Sequence, residues 1–397
     1  MQNIIIDKPY RFVPPYQSAF WMRAFASYLP YNLKHNWGVH KVEYRGVEHL
    51  RDSLAAGHGI LLASNHCRPF DPVTLGILGR HLKQPCFTMG SWHLFMQGRF
   101  QRWLYRRIGA FSIYREGVDR EALRAATAIL VDARRPLVIF PEGIVSRTND
   151  RLNPLQEGVA FIARSAAKLR AKASPPGKVV VHPIFLRYFF EGDLAATLTP
   201  VLDEIEKRLS WRPPRDPALL PRIVRIGEGL LTLKEIEYLG EARIGPVAER
   251  QAALIEHLFQ PLEKEWLGGR GDPSLIERCK RLRTAIVPEM AEGTLSAEER
   301  ARRWKQLADI YLAQQLICYP PGYLDEPCPP EHLLETVERF EEDLTDVSRV
   351  HRPLRVVINV GPAIEVSPAR DRGQSEDALI QKVRDSLQQM LESSKAR

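Results

Sequence analysis

The 397-residue chain is 44% hydrophobic and 26% charged, the balance of a globular protein with a sizeable core, and no low-complexity tract or convincing internal repeat interrupts it. Its formal charge of +8 is unevenly spread, because residues 1–190 carry 27 Lys and Arg against 12 Asp and Glu. The first half is therefore expected to face something anionic: nucleic acid, an anionic membrane or phosphorylated substrates.

In chain order, "MQNIIIDKPYRF" has too short an apolar core for a secretory signal, and none is expected. The aromatic stretch "YQSAFWMRAFASYLPYNL" is broken by Arg23 and Pro30. No stretch reaches the roughly 18 uninterrupted apolar residues a spanning helix needs. Residues 1–38 are expected to form an N-terminal helical segment lying on a membrane surface. From residue 39, strands are predicted at 40–45, 59–64, 85–89, 111–114, 136–140 and 178–186, alternating with helices near 47–56, 72–82, 92–107, 119–134 and 154–172. That alternation predicts an α/β fold with a central, mostly parallel sheet flanked by helices. In such sheets ligands gather at the carboxyl ends of the strands.

After residue 190 the pattern becomes helical, near 218–239, 246–266, 273–290, 297–317 and 331–345, with Ser296 and Glu299 read as a capping box. The run "LRVVINVGPAIEV" (354–366) then returns to strand character and is expected to rejoin the sheet, before a last helix at 375–393. Residues 39–190 and 351–397 are thus read as one α/β domain, and 191–350 as a large all-helical insertion before the last strand. Five scattered cysteines (67, 86, 279, 318, 328) lack metal-ligand spacing and predict free thiols.

Chemistry-bearing residues fall where the sheet's carboxyl edge is predicted. In "LLASNHCRPFDPVTL" a strand ends near Ser64, His66 follows, and Asp71-Pro72 opens a helix. Asp before Pro is a favoured helix N-cap. A short turn through Cys67–Phe70 would also fold Asp71 back to one ring nitrogen of His66, fixing its tautomer and supporting an imidazolium. That is the base and its orienter without a nucleophile, complete if the nucleophile is a substrate hydroxyl. Cys67 should point to the opposite face from His66, so an acyl-cysteine is not expected. Further along, "RRIGAFSIYREGVDR" carries Arg115 past a short strand, and "LVIFPEGIVSR" places Glu142, Gly143, Ser146 and Arg147 in a turn and loop.

The order of these blocks resembles the lysophosphatidate (1-acylglycerol-3-phosphate) acyltransferase family of glycerolipid synthesis. "NHCRPFD" matches its Asn-His-(four residues)-Asp block, "GAFSIYR" its Gly-x-x-x-x-x-Arg block, and "FPEG" its Phe-Pro-Glu-Gly block. "VVVHPIF" matches its apolar-x-Pro-apolar strand and "VINVGPAIEV" its closing strand. The resemblance implies His66 as general base, Asp71 as its orienting partner and Arg115 as the acceptor-phosphate contact. It implies Glu142 and Gly143 as the acceptor-binding turn, with Ser146 and Arg147 beside it, and places Asn65 and Pro183 on the oxyanion or acyl-donor side. One departure stands out: the family continues Phe-Pro-Glu-Gly with Thr-Arg-Ser, whereas this chain has Ile144-Val145-Ser146-Arg147.

The implied reaction moves a fatty acyl group from acyl-CoA or acyl carrier protein to a lysophospholipid hydroxyl, giving phosphatidate from 1-acylglycerol-3-phosphate. It needs no metal or organic cofactor. Another hydroxylated amphiphile as acceptor and a non-catalytic lipid-binding scaffold are the competing readings. "SWHLFMQGRFQRWLYRRIG" interleaves aromatics with arginines, as a helix lying in lipid headgroups would. A peripheral position on the cytoplasmic face of the membrane is expected, with membrane lipids as partners and no nucleic-acid module. The helical insertion is expected to cap the acyl channel, self-associate or meet another protein.

Overall fold

The computed structural model describes residues 7–212, 218–269, 274–369 and 377–395. Two short helices, α1 (Phe20–Ala26) and α2 (Leu29–Trp37), precede β1 (Val39–Arg45), α3 (Val47–Ala55), β2 (Gly59–Ser64) and α4 (Asp71–His81). Then come β3 (Phe87–Ser91), a 3₁₀ turn (Trp92–Met96), α5 (Arg99–Arg107), β4 (Ala110–Ile113) and α6 (Arg120–Asp132). β5 (Leu137–Ile139), α7 (Gly158–Arg170) and β6 (Val179–Phe190) follow. Next are α8 (Leu194–Arg208), α9 (Leu219–Leu239), α10 (Val247–Leu267), α11 (Leu275–Glu292), α12 (Ala297–Ile317) and α13 (Pro330–Thr345). The chain closes with β7 (Leu354–Val360), β8 (Ile364–Glu365) and α14 (Ala378–Lys395). The described residues of 10–189 and 352–395 form one compact unit, and those of 7–9 and 190–351 another.

The first unit is the α/β fold the sequence predicts. Its strands lie in the order β1-β7-β6-β2-β5-β3-β4, and β8 adds to β6 antiparallel. The pairs β1–β7, β2–β5, β2–β6, β3–β4 and β3–β5 are all parallel. β2, "GILLAS", is buried along its whole length, as a strand covered on both faces must be. Leu61 and Ala63 share one core with Val181 and Phe185 of β6, Ile129 of α6, Val159 of α7 and Leu387 of α14. Ile60 and Leu62 point the opposite way. On that second face His182, register partner of Leu62, is held by Ser53 of α3 and the Gly361 carbonyl, each at 2.9 Å.

One crossover positions the site. The chain leaves β5, runs through α7 and returns on the far side of β2 as β6, so β2 sits between β5 and β6. Whatever follows the carboxyl ends of these three strands must meet.

Two expectations are corrected here. The predicted helix over 92–107 splits into a 3₁₀ turn that buries Trp92 and Phe95 and an α5 in which no residue is fully buried. The strand expected over 354–366 divides into β7 and β8, with Gly361-Pro362-Ala363 between them, where Pro362 has no N–H to give a ladder.

In the second unit successive helices are clasped in one repeated way. Arg222 of α9 pairs with Glu206 of α8, and Arg250 of α10 with Glu235 of α9. Arg278 of α11 pairs with Glu263 of α10, and Arg303 of α12 with Glu289 of α11. Each guanidinium reaches back 14 to 16 residues, about the distance from a helix to its antiparallel predecessor. Around the clasps pack Leu254, Leu258 and Phe259 of α10 with Leu282, Ile286, Leu307 and Ile310 of α11 and α12. α8 is the helix the sequence pattern does not announce: Asp193 caps it through the Ala196 N–H, but Pro200 lies inside. Ser296 caps α12 through the Glu299 N–H at 3.2 Å, yet the Glu299 carboxylate turns to Arg302 and Arg303, so the box is only half formed.

The buried clasp at Arg278 is testable. Arg278→Ala leaves Glu263 buried without its partner and should cost about 3–5 kcal/mol, read by urea unfolding. A loss under about 1 kcal/mol would contradict the clasp.

Candidate active site

β6 runs on past its neighbour. Strand pairing between β2 and β6 ends at Ser64 and Ile184. Beyond it the Asn65 N–H still reaches the Ile184 carbonyl at 3.3 Å, and the Asn65 side chain takes over. Its Oδ1 accepts the Leu186 N–H at 2.7 Å and its Nδ2 donates to the Leu186 carbonyl at 3.0 Å. Two residues further on, Asn149 does the same for the N–H and carbonyl of Tyr188. An asparagine amide has the same donor and acceptor as a peptide unit and here extends the ladder in place of one. Asn65, expected on the oxyanion side, is therefore committed to the sheet at both ends of its amide.

This latch delivers His66 to the edge of the sheet. The imidazole stacks on Phe140, which directly follows β5, with centroids 4.0 Å apart and planes at 23°. Its Nδ1 lies 2.9 Å from Asp71 Oδ2. Asp71 has no exposed surface, whereas the His66 side chain keeps 15%. The carboxylate accepts two more hydrogen bonds, from the Arg68 N–H at 2.9 Å and the Tyr188 hydroxyl at 2.7 Å. A carboxylate surrounded by donors fixes the proton on Nδ1 and leaves the lone pair on Nε2.

The helix-cap reading of Asp71 is corrected. α4 begins with a side-chain cap bond missing at Phe70, and the Phe70 carbonyl receives the Val73 and Thr74 N–H groups. Asp71 faces back towards His66 instead. Cys67 is buried and aims its thiol at the Leu186 carbonyl, 3.9 Å away.

Glu142 also differs from expectation. It has no exposed surface, so it does not line a site open to an acceptor. Its Oε1 accepts the His66 backbone N–H at 2.8 Å, and its Oε2 accepts both N–H groups of Asn153, at 3.0 and 2.9 Å. Burial raises it to about 7 against these three donors, with the Asp71 charge adding to the rise. The same loop is tied back a second time, because the Ser146 N–H donates to the His66 carbonyl at 2.7 Å. His66 is thus held by its backbone on both sides of the peptide, by its ring face and by Nδ1.

The remaining expected residues divide. Arg115 donates to the Gly143 carbonyl at 2.7 Å, bringing its charge to the Pro-Glu-Gly turn. Gly143 takes φ +71°, the left-handed region natural to glycine. Arg147, at φ +60°, adopts that region without being glycine. Ser146 is buried and its hydroxyl donates to the Thr148 carbonyl at 3.0 Å, turned into its own loop. Pro183 lies inside the sheet opposite Ala63, its carbonyl accepting the Gly361 N–H.

The N-terminal segment contributes as well. Val13 N–H donates to Ser112 Oγ at 2.8 Å, and Ser112 N–H to the Val13 carbonyl at 3.0 Å. Tyr10 donates its hydroxyl to Asp119, which also accepts the Tyr114 N–H at 3.0 Å. Residues 10–13 therefore brace the loop that carries Arg115 and belong to the α/β unit. Three contributors here, Tyr188, Asn149 and Asn153, were not singled out from sequence, and Phe140 only as the first residue of the "FPEG" block; no local signal marks the three, whose partners lie 11 to 117 residues away.

Residues 41–187 match the family model for acyltransferases. The matched stretch begins in β1 and ends in β6, so it contains His66, Asp71, Arg115 and the Phe140–Gly143 turn. No curated protein matches the chain.

Glu142 gives a pH prediction. Its folded value, about 7, lies above the 4.5 of an ordinary glutamate. Between these values the folded protein holds a proton that the unfolded chain has released. Its contribution to stability is therefore greatest at or below 4.5, declines as pH rises to about 7, and is flat above, a change of about 3 kcal/mol at most. The stability of the wild type minus that of Glu142→Gln, from urea unfolding at pH 5 to 8, should fall along this window. A difference that rises with pH would contradict the assignment.

Proposed function

We propose that the protein transfers a fatty acyl group from an acyl thioester, on CoA or acyl carrier protein, to the hydroxyl of a lysophospholipid, foremost 1-acylglycerol-3-phosphate. The observation that carries the reading is the 2.9 Å contact between His66 Nδ1 and the buried Asp71, in a segment that matches the acyltransferase family model. With Nδ1 occupied, Nε2 takes the proton of the acceptor hydroxyl as its oxygen attacks the thioester carbonyl. The tetrahedral oxyanion collapses, the carbon–sulfur bond breaks, and the thiolate leaves with the proton returned by the imidazolium. No protein nucleophile is required, in keeping with the buried, averted thiol of Cys67.

The acceptor end rests on Arg115, whose guanidinium lies at the Gly143 turn and suits a phosphate-bearing headgroup. Ile144 and Val145, both half-buried where the family has Thr-Arg, favour a second reading of the same reaction with a less polar hydroxylated amphiphile.

Membrane access is supported by one surface. α1 and α5 meet through Trp21 and Trp103, with ring centroids 5.2 Å apart. Phe20 and Phe100 stand out at 65% and 66% exposure beside Arg99, Arg102, Arg106 and Arg107. No helix of the described residues is long and apolar enough to cross a membrane. We infer peripheral contact with an anionic bilayer through this face.

His66→Ala should lower thioester turnover with lysophosphatidate by about 10²–10⁴-fold; undiminished turnover would refute the base assignment. Wild-type protein should co-sediment with vesicles containing anionic lipid and be released by salt, and Phe100→Ser with Trp103→Ser should weaken this. Binding that ignores both salt and these substitutions would refute the surface.

A further inference from the structure

Asp71 is oriented from the side opposite His66, by a residue outside all the blocks that mark the family resemblance. Asn149 fixes the Tyr188 backbone at the end of β6, and the tyrosine ring packs edge-on against Phe70 at 5.3 Å. This sends the hydroxyl to Asp71 Oδ1, the oxygen His66 does not use, at 2.7 Å. Thr74 Oγ1 of α4 lies 2.9 Å from the same phenol oxygen. Tyr188 has one proton and gives it to Asp71, so Thr74 must donate to Tyr188. The result is a buried line of donors, Thr74 to Tyr188 to Asp71, ending opposite the imidazole.

We infer that Tyr188 is a positioning residue that sets how much negative charge Asp71 presents to His66. The inference rests on the reading of His66 as the base. A carboxylate oxygen that accepts a strong hydrogen bond has part of its charge neutralised. Remove that bond, and the charge left for the imidazolium increases while the carboxylate loses one of its three fixed contacts. His66 then holds a proton more tightly and points less reproducibly at the acceptor. Burial, helped by the Asp71 charge, pushes the phenol well above its ordinary value, so Tyr188 remains a donor throughout any working pH.

The test is Tyr188→Phe, which keeps the ring against Phe70 and deletes only the hydroxyl. Its kcat should fall by roughly tenfold, the worth of one hydrogen bond to a charged group, with the KM for lysophosphatidate unchanged. The acid limb of its kcat/KM–pH profile should move to higher pH. Thr74→Val, which weakens the donor line without touching Asp71, should move the limb in the same direction by less, and it covers the case in which Tyr188→Phe fails to fold. Acid limbs that superimpose on the wild type in the folded variants overturn the inference, even if activity drops with stability. His66→Ala measured alongside separates the two levels. Loss of turnover in His66→Ala with unmoved limbs sinks the Tyr188 role alone, whereas full turnover in His66→Ala sinks the base assignment and the role with it.

Discussion

The site is organised around one costly constraint, a carboxylate with no exposed surface. Burying Asp71 is tolerable only if its oxygens are saturated with donors. The fold supplies them from three places: the His66 ring, the Arg68 peptide in the intervening turn, and the Tyr188 hydroxyl on the adjacent strand. Each donor demands something of the chain. The turn between β2 and α4 must be short, α4 must begin at Asp71 without using it as a cap, and β6 must extend beyond the strand it pairs with. The topology meets the last demand by returning β6 next to β2 after the crossover from β5.

The second theme is side chains that stand in for backbone. Where β2 ends, Asn65 and Asn149 carry the β6 ladder on for two further residues, and Glu142 accepts the N–H groups of His66 and Asn153 that no strand pairs. Buried peptide groups left open would cost about 1–3 kcal/mol each. These three residues let the chain depart from the sheet, as a functional loop must, without that penalty. The Ser146 N–H to His66 carbonyl bond joins the loop from Phe140 to Asp150 directly to the turn after His66.

Much of this was legible in the sequence. Continuous apolar runs such as "GILLA" announce strands covered on both faces, and the alternation with helical periods yields the α/β class. The His66–Asp71 spacing yields the contact found between them. What sequence could not convey was the direction of polar side chains. Asp-Pro looks like a cap, but the His66 ring, the Arg68 N–H and the distant Tyr188 hydroxyl outcompete the helix N-terminus for the carboxylate. Glu142 in a Pro-Glu-Gly turn looks solvent-facing or substrate-facing, yet the unpaired N–H groups around it draw it inward. Tyr188 reads as one more aromatic at a strand end, since its partner lies 117 residues away. The clasps of the helical unit escaped for a related reason: a Glu and an Arg some fifteen residues apart meet only once two helices have folded back on each other.

The central claim is acyl transfer to a hydroxyl by a base that the sheet edge holds in place. It is tested most directly by mass spectrometry of the products formed from a thioester donor, on CoA and on acyl carrier protein, with a panel of lysophospholipid and other hydroxylated acceptors. The account predicts an oxygen ester of one acceptor class formed in step with free thiol. Free fatty acid alone, or no consumption of either donor with any acceptor, would contradict it.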